Sequence, residues 1–194
     1  MPNRRELLSA ALMLPAMAWS QPHQRLNLRV PGMVWQPDNA TARPEGEWQR
    51  LGIDTLLIQW LATDDGAGHV WNVPALEQLR GQPWAQNIIA GLVGDGDEPR
   101  ARSRVQELAR ASQLLAQQPL PFEPAGWYFP VESDPSWAEV HRLAESLRDL
   151  PRPLWVSVYD NSNIGPDALV RWLQQWLPED VGVFFQDGVG LHTR

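Results

Sequence analysis

Apolar residues gather along this chain in six short blocks, and helix-spaced stripes or loops separate them. Leu28 to Trp35 alternates and then turns apolar, which predicts a first strand ending in Trp35, Gln36 and Pro37. Residues 37–46 read as loop, and a short helical piece around Glu47–Leu51 closes at Gly52. Ile53 to Trp60 is almost continuously apolar, as expected of a strand covered on both faces, and it ends in Gln59 and Trp60. After a turn-rich loop (Asp64-Asp65-Gly-Ala-Gly68), Pro74 to Leu79 predicts a short helix. Asn87 to Val93 is a third strand that runs into Gly94-Asp95-Gly96-Asp97.

The clearest helix spans about Pro99 to Gln117, with Val105, Leu108, Ala109, Ser112 and Leu115 near helical spacing. Gly126-Trp-Tyr-Phe-Pro-Val-Glu-Ser-Asp134 holds the fourth strand, Trp127 to Val131, and breaks off in Glu132, Ser133 and Asp134. Asp134-Pro135 then opens a helix striped by Trp137, Val140, Leu143, Ala144 and Leu147. Leu154 to Val158 is the fifth strand, ending in Tyr159, Asp160 and Asn161. Pro166 to Leu177 is helical, and Val181 to Phe185 is the sixth strand, ending in Gln186, Asp187 and Gly188.

Strand and helix in alternation predict an α/β fold with a parallel sheet and right-handed crossovers. Such a sheet is either open and doubly wound or closed as a (β/α) barrel. Phosphate-loop and dinucleotide signatures are absent, and Gly94-Asp95-Gly96-Asp97 carries carboxylates that repel phosphate. Nearly every strand ends in a polar or aromatic cluster, and in a barrel all these ends converge on one mouth. The expectation is therefore a (β/α) TIM-type barrel, incomplete at about six βα units, because a full barrel takes roughly 250 residues and at least about 200. The chain has 194 residues.

Composition narrows the chemistry. The chain has no Cys, which removes disulfides, thiolate catalysis and Cys-bound zinc. Its four His share no short spacing, so a His metal site is not expected. The net charge is −7, and the acidic balance argues against nucleic acid. Asp64, Asp65, Asp95 and Asp97 lack the spacing of a calcium loop and are expected to be solvated turns. No metal and no cofactor are predicted. Trp is unusually frequent, with 11 residues against 2 Tyr, and Trp can stack on the apolar faces of sugar rings. Trp84, Trp137, Trp172 and Trp176 lie on helical stretches and read as packing residues.

The first 20 residues read as a twin-arginine signal peptide, with Arg4-Arg5, an apolar run from Leu7 to Ala18 and small-residue cleavage patterns up to Ser20. That run is roughly 12 residues, short of the about 20 that cross a bilayer. Residues 21–194 would then form an exported domain, periplasmic or secreted, with no membrane span.

Three stretches together, Gly52-Ile-Asp-Thr-Leu-Leu-Ile-Gln-Trp60, Gly126-Trp-Tyr-Phe-Pro-Val-Glu132 and Phe185-Gln-Asp-Gly-Val-Gly190, resemble a bacterial domain-of-unknown-function family grouped with glycoside-hydrolase-like TIM barrels. The resemblance covers about Gly32 to Gly190. It implies a TIM-barrel fold and action on glycans, with an acid/base Glu at the end of strand four, where Glu132 falls. The nucleophile of that class sits at the end of strand seven, and no strand seven is visible here.

Glycoside hydrolysis needs two carboxyls across the scissile bond, one of them protonated. Glu132 suits the acid, because Trp127, Tyr128, Phe129 and Pro130 precede it and apolar surroundings raise a carboxyl pKa. Its partner would be Asp187 or Asp160. Gln59 and Gln186 could hydrogen-bond sugar hydroxyls or form a satisfied polar layer. Trp35, Trp60 and Tyr159 are stacking candidates, and Tyr128, Asp160 and Asn161 complete the predicted carbohydrate-binding set. Two functions stay open: a glycan-cleaving enzyme, and a non-catalytic glycan-binding or structural barrel.

Overall fold

The computed structural model of the chain describes residues 30–36, 46–64, 69–71 (main chain only) and 76–186. The strands are β1 (Gly32–Trp35), β2 (Thr55–Ile58), β3 (Ala62–Asp64), β4 (His69–Trp71), β5 (Asn87–Gly91), β6 (Val93–Gly94), β7 (Gly126–Ser133), β8 (Leu154–Tyr159) and β9 (Val181–Gln186). The helices are α1 (Glu98–Ser103), α2 (Val105–Leu115), α3 (His141–Leu147) and α4 (Pro166–Trp176).

The six strands read from the apolar blocks all lie in one sheet, in the order β1-β2-β5-β7-β8-β9, and every neighbouring pair is parallel. The sheet curls into a half-barrel. Sheet order follows chain order without a reversal. A doubly wound sheet reverses at its switch point, and that reversal is what separates the two architectures. Successive right-handed crossovers in one direction place their helices on one face.

Burial reports the same arrangement. Leu56, Ile58, Ile88, Ala90, Phe129, Leu154, Val156 and Val158 share one core with Val105, Leu108, Leu143, Leu147 and Leu169 of the helices. Each large aliphatic side chain sunk there contributes about 1.5–3 kcal/mol. The two-residue period of a strand sends the intervening side chains to the concave face. There Leu57, Ile89 and Tyr128 form a second, smaller cluster, with Trp155 and Phe184 against it.

The structure departs from the sequence expectation in three places. The helix expected from Pro99 to Gln117 is two helices, broken at Arg104 (φ −108°, ψ 18°). The helix expected from Asp134 begins at His141, because the residues between fold as turns. The stretch read as loop after Trp60 contains a hairpin, β3 antiparallel to β4, and β6 joins it parallel to β3. The main chain passes from the large sheet to this small one between β5 and β6. Gly91 lies so close to the carbonyls of Ile58 and Gln59 that a β-carbon would overlap them. No helix among the described residues is long and apolar enough to cross a membrane.

Candidate functional site

The carboxyl ends of the parallel strands meet at the mouth of the half-barrel, the position that carries chemistry in parallel α/β proteins. β7 is the longest strand and shapes this mouth. Its register with β8 slips between Phe129 and Ser133, around Pro130. Proline has no N–H for the ladder, so a bulge is where a strand tolerates it. The carbonyl of Glu132 accepts from Arg102 Nε at 3.1 Å.

The Glu132 side chain is half-buried, and its Oε1 accepts a hydrogen bond from Gln186 Nε2 at 2.9 Å. Below it on the concave face, the Tyr128 hydroxyl donates to Ser157 Oγ at 2.8 Å. Burial pushes that hydroxyl up to about 12; the Ser157 bond opposes the rise, and the charge of Glu132 adds to it. Phe184 meets Tyr128 edge-on at 6.1 Å between centroids and Trp155 at 6.3 Å. Gly126 and Gly182 leave room for the Trp155 ring, which a β-carbon at either would overlap. Half-buried Trp155 and Phe184, packed on the buried Tyr128, thus lie on the same face as Glu132 and Gln186.

Three arginines spaced by two residues tie the strand ends together. Arg100 grips Asp95 through Nε and Nη2, both at 2.6 Å. Arg104 reaches back to Asp64 at 3.1 Å. Arg102 binds Asp134 at 2.7 Å, the Tyr159 hydroxyl at 2.9 Å and Glu98, and it lies over the Trp137 ring at 5.3 Å. Tyr159 donates to Glu98 Oε1 at 2.5 Å. Burial pushes the Asp95 and Asp134 carboxyls up, but the hydrogen bonds and the arginine charges outweigh it, and both end below the ordinary carboxylate value. For Tyr159, burial and the bond to Glu98 both push the hydroxyl up, against the opposing charge of Arg102.

The predicted residues therefore divide. Glu132, Tyr128, Tyr159 and Gln186 share the mouth and its concave face. Trp35 does not join them. Its ring is 7% exposed in the helix-side core, so it has no face to offer a sugar. Trp60 is also buried, close to Pro130 and Gly94, and its indole N–H has no partner among the described residues. Gln59 is half-buried at the end of β2. Asp160 is spent on turn chemistry, its two oxygens accepting from the N–H groups of Ile164 and Gly165. Asn161 is exposed in that turn. Asp187 lies outside the described residues.

Asp64 and Asp95 correct an expectation. They are buried and held by arginines rather than solvated. No cluster of three or more potential metal ligands occurs among the described residues. Glu98 and Arg102 were missed. Their four-residue spacing on one helix was a legible ion-pair signal, although it does not say that the pair faces Tyr159.

No family model matches the chain, and neither a curated protein nor a solved structure does.

Proposed function

We propose that this protein is an exported glycoside-hydrolase-like protein built on part of a TIM-type barrel, and that it acts on a glycan by carboxylate acid/base chemistry. The carrying observation is Glu132. It is a half-buried carboxyl at the end of the central strand, held by Gln186 on the face where Trp155 and Phe184 are half-buried and Tyr128 is buried beside them. Aromatic faces pack against the apolar side of a sugar ring, and an amide and a hydroxyl beside them bind its hydroxyl groups. Glu132 would protonate the leaving glycosidic oxygen. The resemblance of three strand segments to glycosidase-like barrels supports the same reading.

One observation favours a second reading, a glycan-binding barrel without turnover. Asp64, Asp95, Asp134 and Asp160 are fully engaged in arginine or main-chain bonds. Glu132→Gln separates the two. Hydrolysis of a panel of aryl glycosides by the wild type, abolished in Glu132→Gln with binding kept, supports the enzyme. Glycan binding without turnover in the wild type supports the binder, and neither binding nor turnover sinks both.

A further inference from the structure

Each carboxylate at the mouth can be judged by what holds its two oxygens. Asp95 Oδ1 accepts from Asp97 N–H and Arg100, and its Oδ2 from Arg100. Asp134 Oδ1 accepts from Ser136 N–H and its Oδ2 from Arg102. Both oxygens of Asp64 face Arg104, and both oxygens of Asp160 take main-chain N–H groups. These four are structural on both sides. Among the described residues Asp97 has one oxygen without a partner, but it is an exposed helix cap bound to Arg100 N–H, with no hydrogen bond to a side chain of the mouth.

Glu132 and Glu98 differ from all of them in the same way. Glu132 is anchored through Oε1 alone, by Gln186. Glu98 is anchored through Oε1 alone, by the Tyr159 hydroxyl and Arg102. The other oxygen of each has no partner among the described residues. The Glu98 side chain is 39% exposed, against 1% for Asp134 beside it. The two glutamates are also neighbours through their anchors, because Tyr159 pairs with Gln186 in the register of β8 and β9. Tyr159, on β8, stands between Glu132 of β7 and Gln186 of β9, so the residue that anchors Glu98 lies under the Gln186–Glu132 bond. A carboxylate oriented by one oxygen and free at the other can take a proton from a molecule in the site. One bonded at both oxygens must first break a bond.

We propose that Glu98 is the second catalytic carboxylate of this mouth, acting together with Glu132. The inference rests on the glycan-cleaving reading above. In the balanced step, Glu132 gives its proton to the glycosidic oxygen as the bond from that oxygen to the anomeric carbon breaks. A water oxygen forms the new bond to that carbon, and its proton passes to Glu98 Oε2. The products are the free sugar and the released hydroxyl compound, and proton exchange with solvent resets both glutamates. Tyr159 and Arg102 orient Glu98 without touching the reacting atoms.

The experiment uses the full chain and the aryl glycoside that the wild type hydrolyses. Glu98→Gln, Glu132→Gln and Asp187→Asn are compared by kcat/KM, by binding of the uncleaved glycoside analogue and by melting temperature. Glu98→Gln is expected to lose at least 100-fold in kcat, with binding within about threefold and melting unchanged. Added formate should restore turnover in Glu98→Ala by supplying the missing carboxylate. If Asp187→Asn loses at least 100-fold in kcat while Glu98→Gln does not, Asp187 is the second carboxylate and the proposal is overturned. If Glu98→Gln keeps activity within tenfold while Glu132→Gln does not, Glu98 is not the second carboxylate, although the glycan-cleaving reading survives. Loss of activity with a lowered melting temperature and no formate rescue reduces Glu98 to a structural partner of Arg102 and overturns the proposal. A wild type that turns over no glycoside removes the enzyme reading, and Glu98's role with it.

Discussion

Gln186 Nε2 lies 2.9 Å from Glu132 Oε1, so the end of the last described strand is bonded to the carboxyl of the central one. β8 runs between them, and the bond spans its carboxyl end. Glu132 has no other side-chain hydrogen bond among the described residues, and its orientation therefore depends on this amide. Misplacing a reacting group by about 1 Å can cost about 100-fold in rate. Gln186→Ala is expected to lower kcat on a cleaved glycoside by roughly 10- to 100-fold, with a smaller change in KM. Steady-state kinetics of the two proteins check it, and unchanged kcat would show that Glu132 needs no such hold.

Arg102 is the most heavily used side chain of the mouth. It serves Asp134, Glu98, Tyr159 and the carbonyl of Glu132. Removing one partner of a buried ion pair leaves an uncompensated charge and costs about 3–5 kcal/mol. Arg102→Ala should lose an amount of that order in urea unfolding at neutral pH. The pH dependence carries a sign. The folded Asp134 carboxyl lies below its unfolded value, so its stabilisation is present above about pH 4 and lost as pH falls through the folded value. Without Arg102 that carboxyl rises, and protonation then relieves the buried charge. The gap in stability between wild type and Arg102→Ala should therefore narrow as the pH is lowered from 7 toward about 4. A constant gap would mean that Asp134 is not what Arg102 neutralises.

The concave face makes a packing prediction independent of function. A β-carbon at Gly182 would overlap the Trp155 indole, and one at Gly126 would do the same from the other side. Overfilling a packed site costs about 1–3 kcal/mol. Gly182→Ala should destabilise by that amount and change the Trp155 environment. Combining it with Trp155→Leu should cost less than the two single changes summed, because the clash partner is gone. Additive losses would place the strain elsewhere.

Much of the sheet was legible because its strands are compact apolar blocks separated by prolines, glycines and helical stripes. Their order was legible too, since alternating units with right-handed crossovers leave few windings. What the sequence did not carry was parity. In Met33-Val34-Trp35 every residue is apolar, so only register decides which side faces the helices. Gly32 pairs with Thr55 and Trp35 with Ile58, and this puts Trp35 into the helix-side core while Val34 stays 65% exposed. β3 and β6 have three and two residues, too few for any period to appear. Glu98 was hidden for a related reason. It leaves β6 on a helix rather than on a strand end, and only tertiary packing brings it to Tyr159. Glu132 and Gln186 were legible because each ends an apolar block.

The chain contains 2 Tyr, and both lie in this region, so a tyrosinate titration by ultraviolet absorbance reads them without interference from other tyrosines. Burial raises Tyr128 to about 12 and also raises Tyr159. Both should ionise later than the ordinary value of about 10. The linkage sign follows from proton counting. Between about pH 10 and 12 the unfolded chain loses its tyrosine protons while the folded chain keeps them, so stability falls as pH rises through this window. Tyr128 alone accounts for on the order of 3 kcal/mol of that fall, and its contribution is complete below about pH 10. Tyr128→Phe has no such proton to lose. Its urea midpoint should fall less steeply over the window than that of the wild type, with the remaining slope due to Tyr159. At neutral pH the same variant leaves the Ser157 hydroxyl without its donor, at a cost of about 1–3 kcal/mol. The two stability curves should therefore start apart at pH 7 and converge toward pH 12. Parallel curves would mean that Tyr128 ionises normally and that the concave face is open to water at that depth.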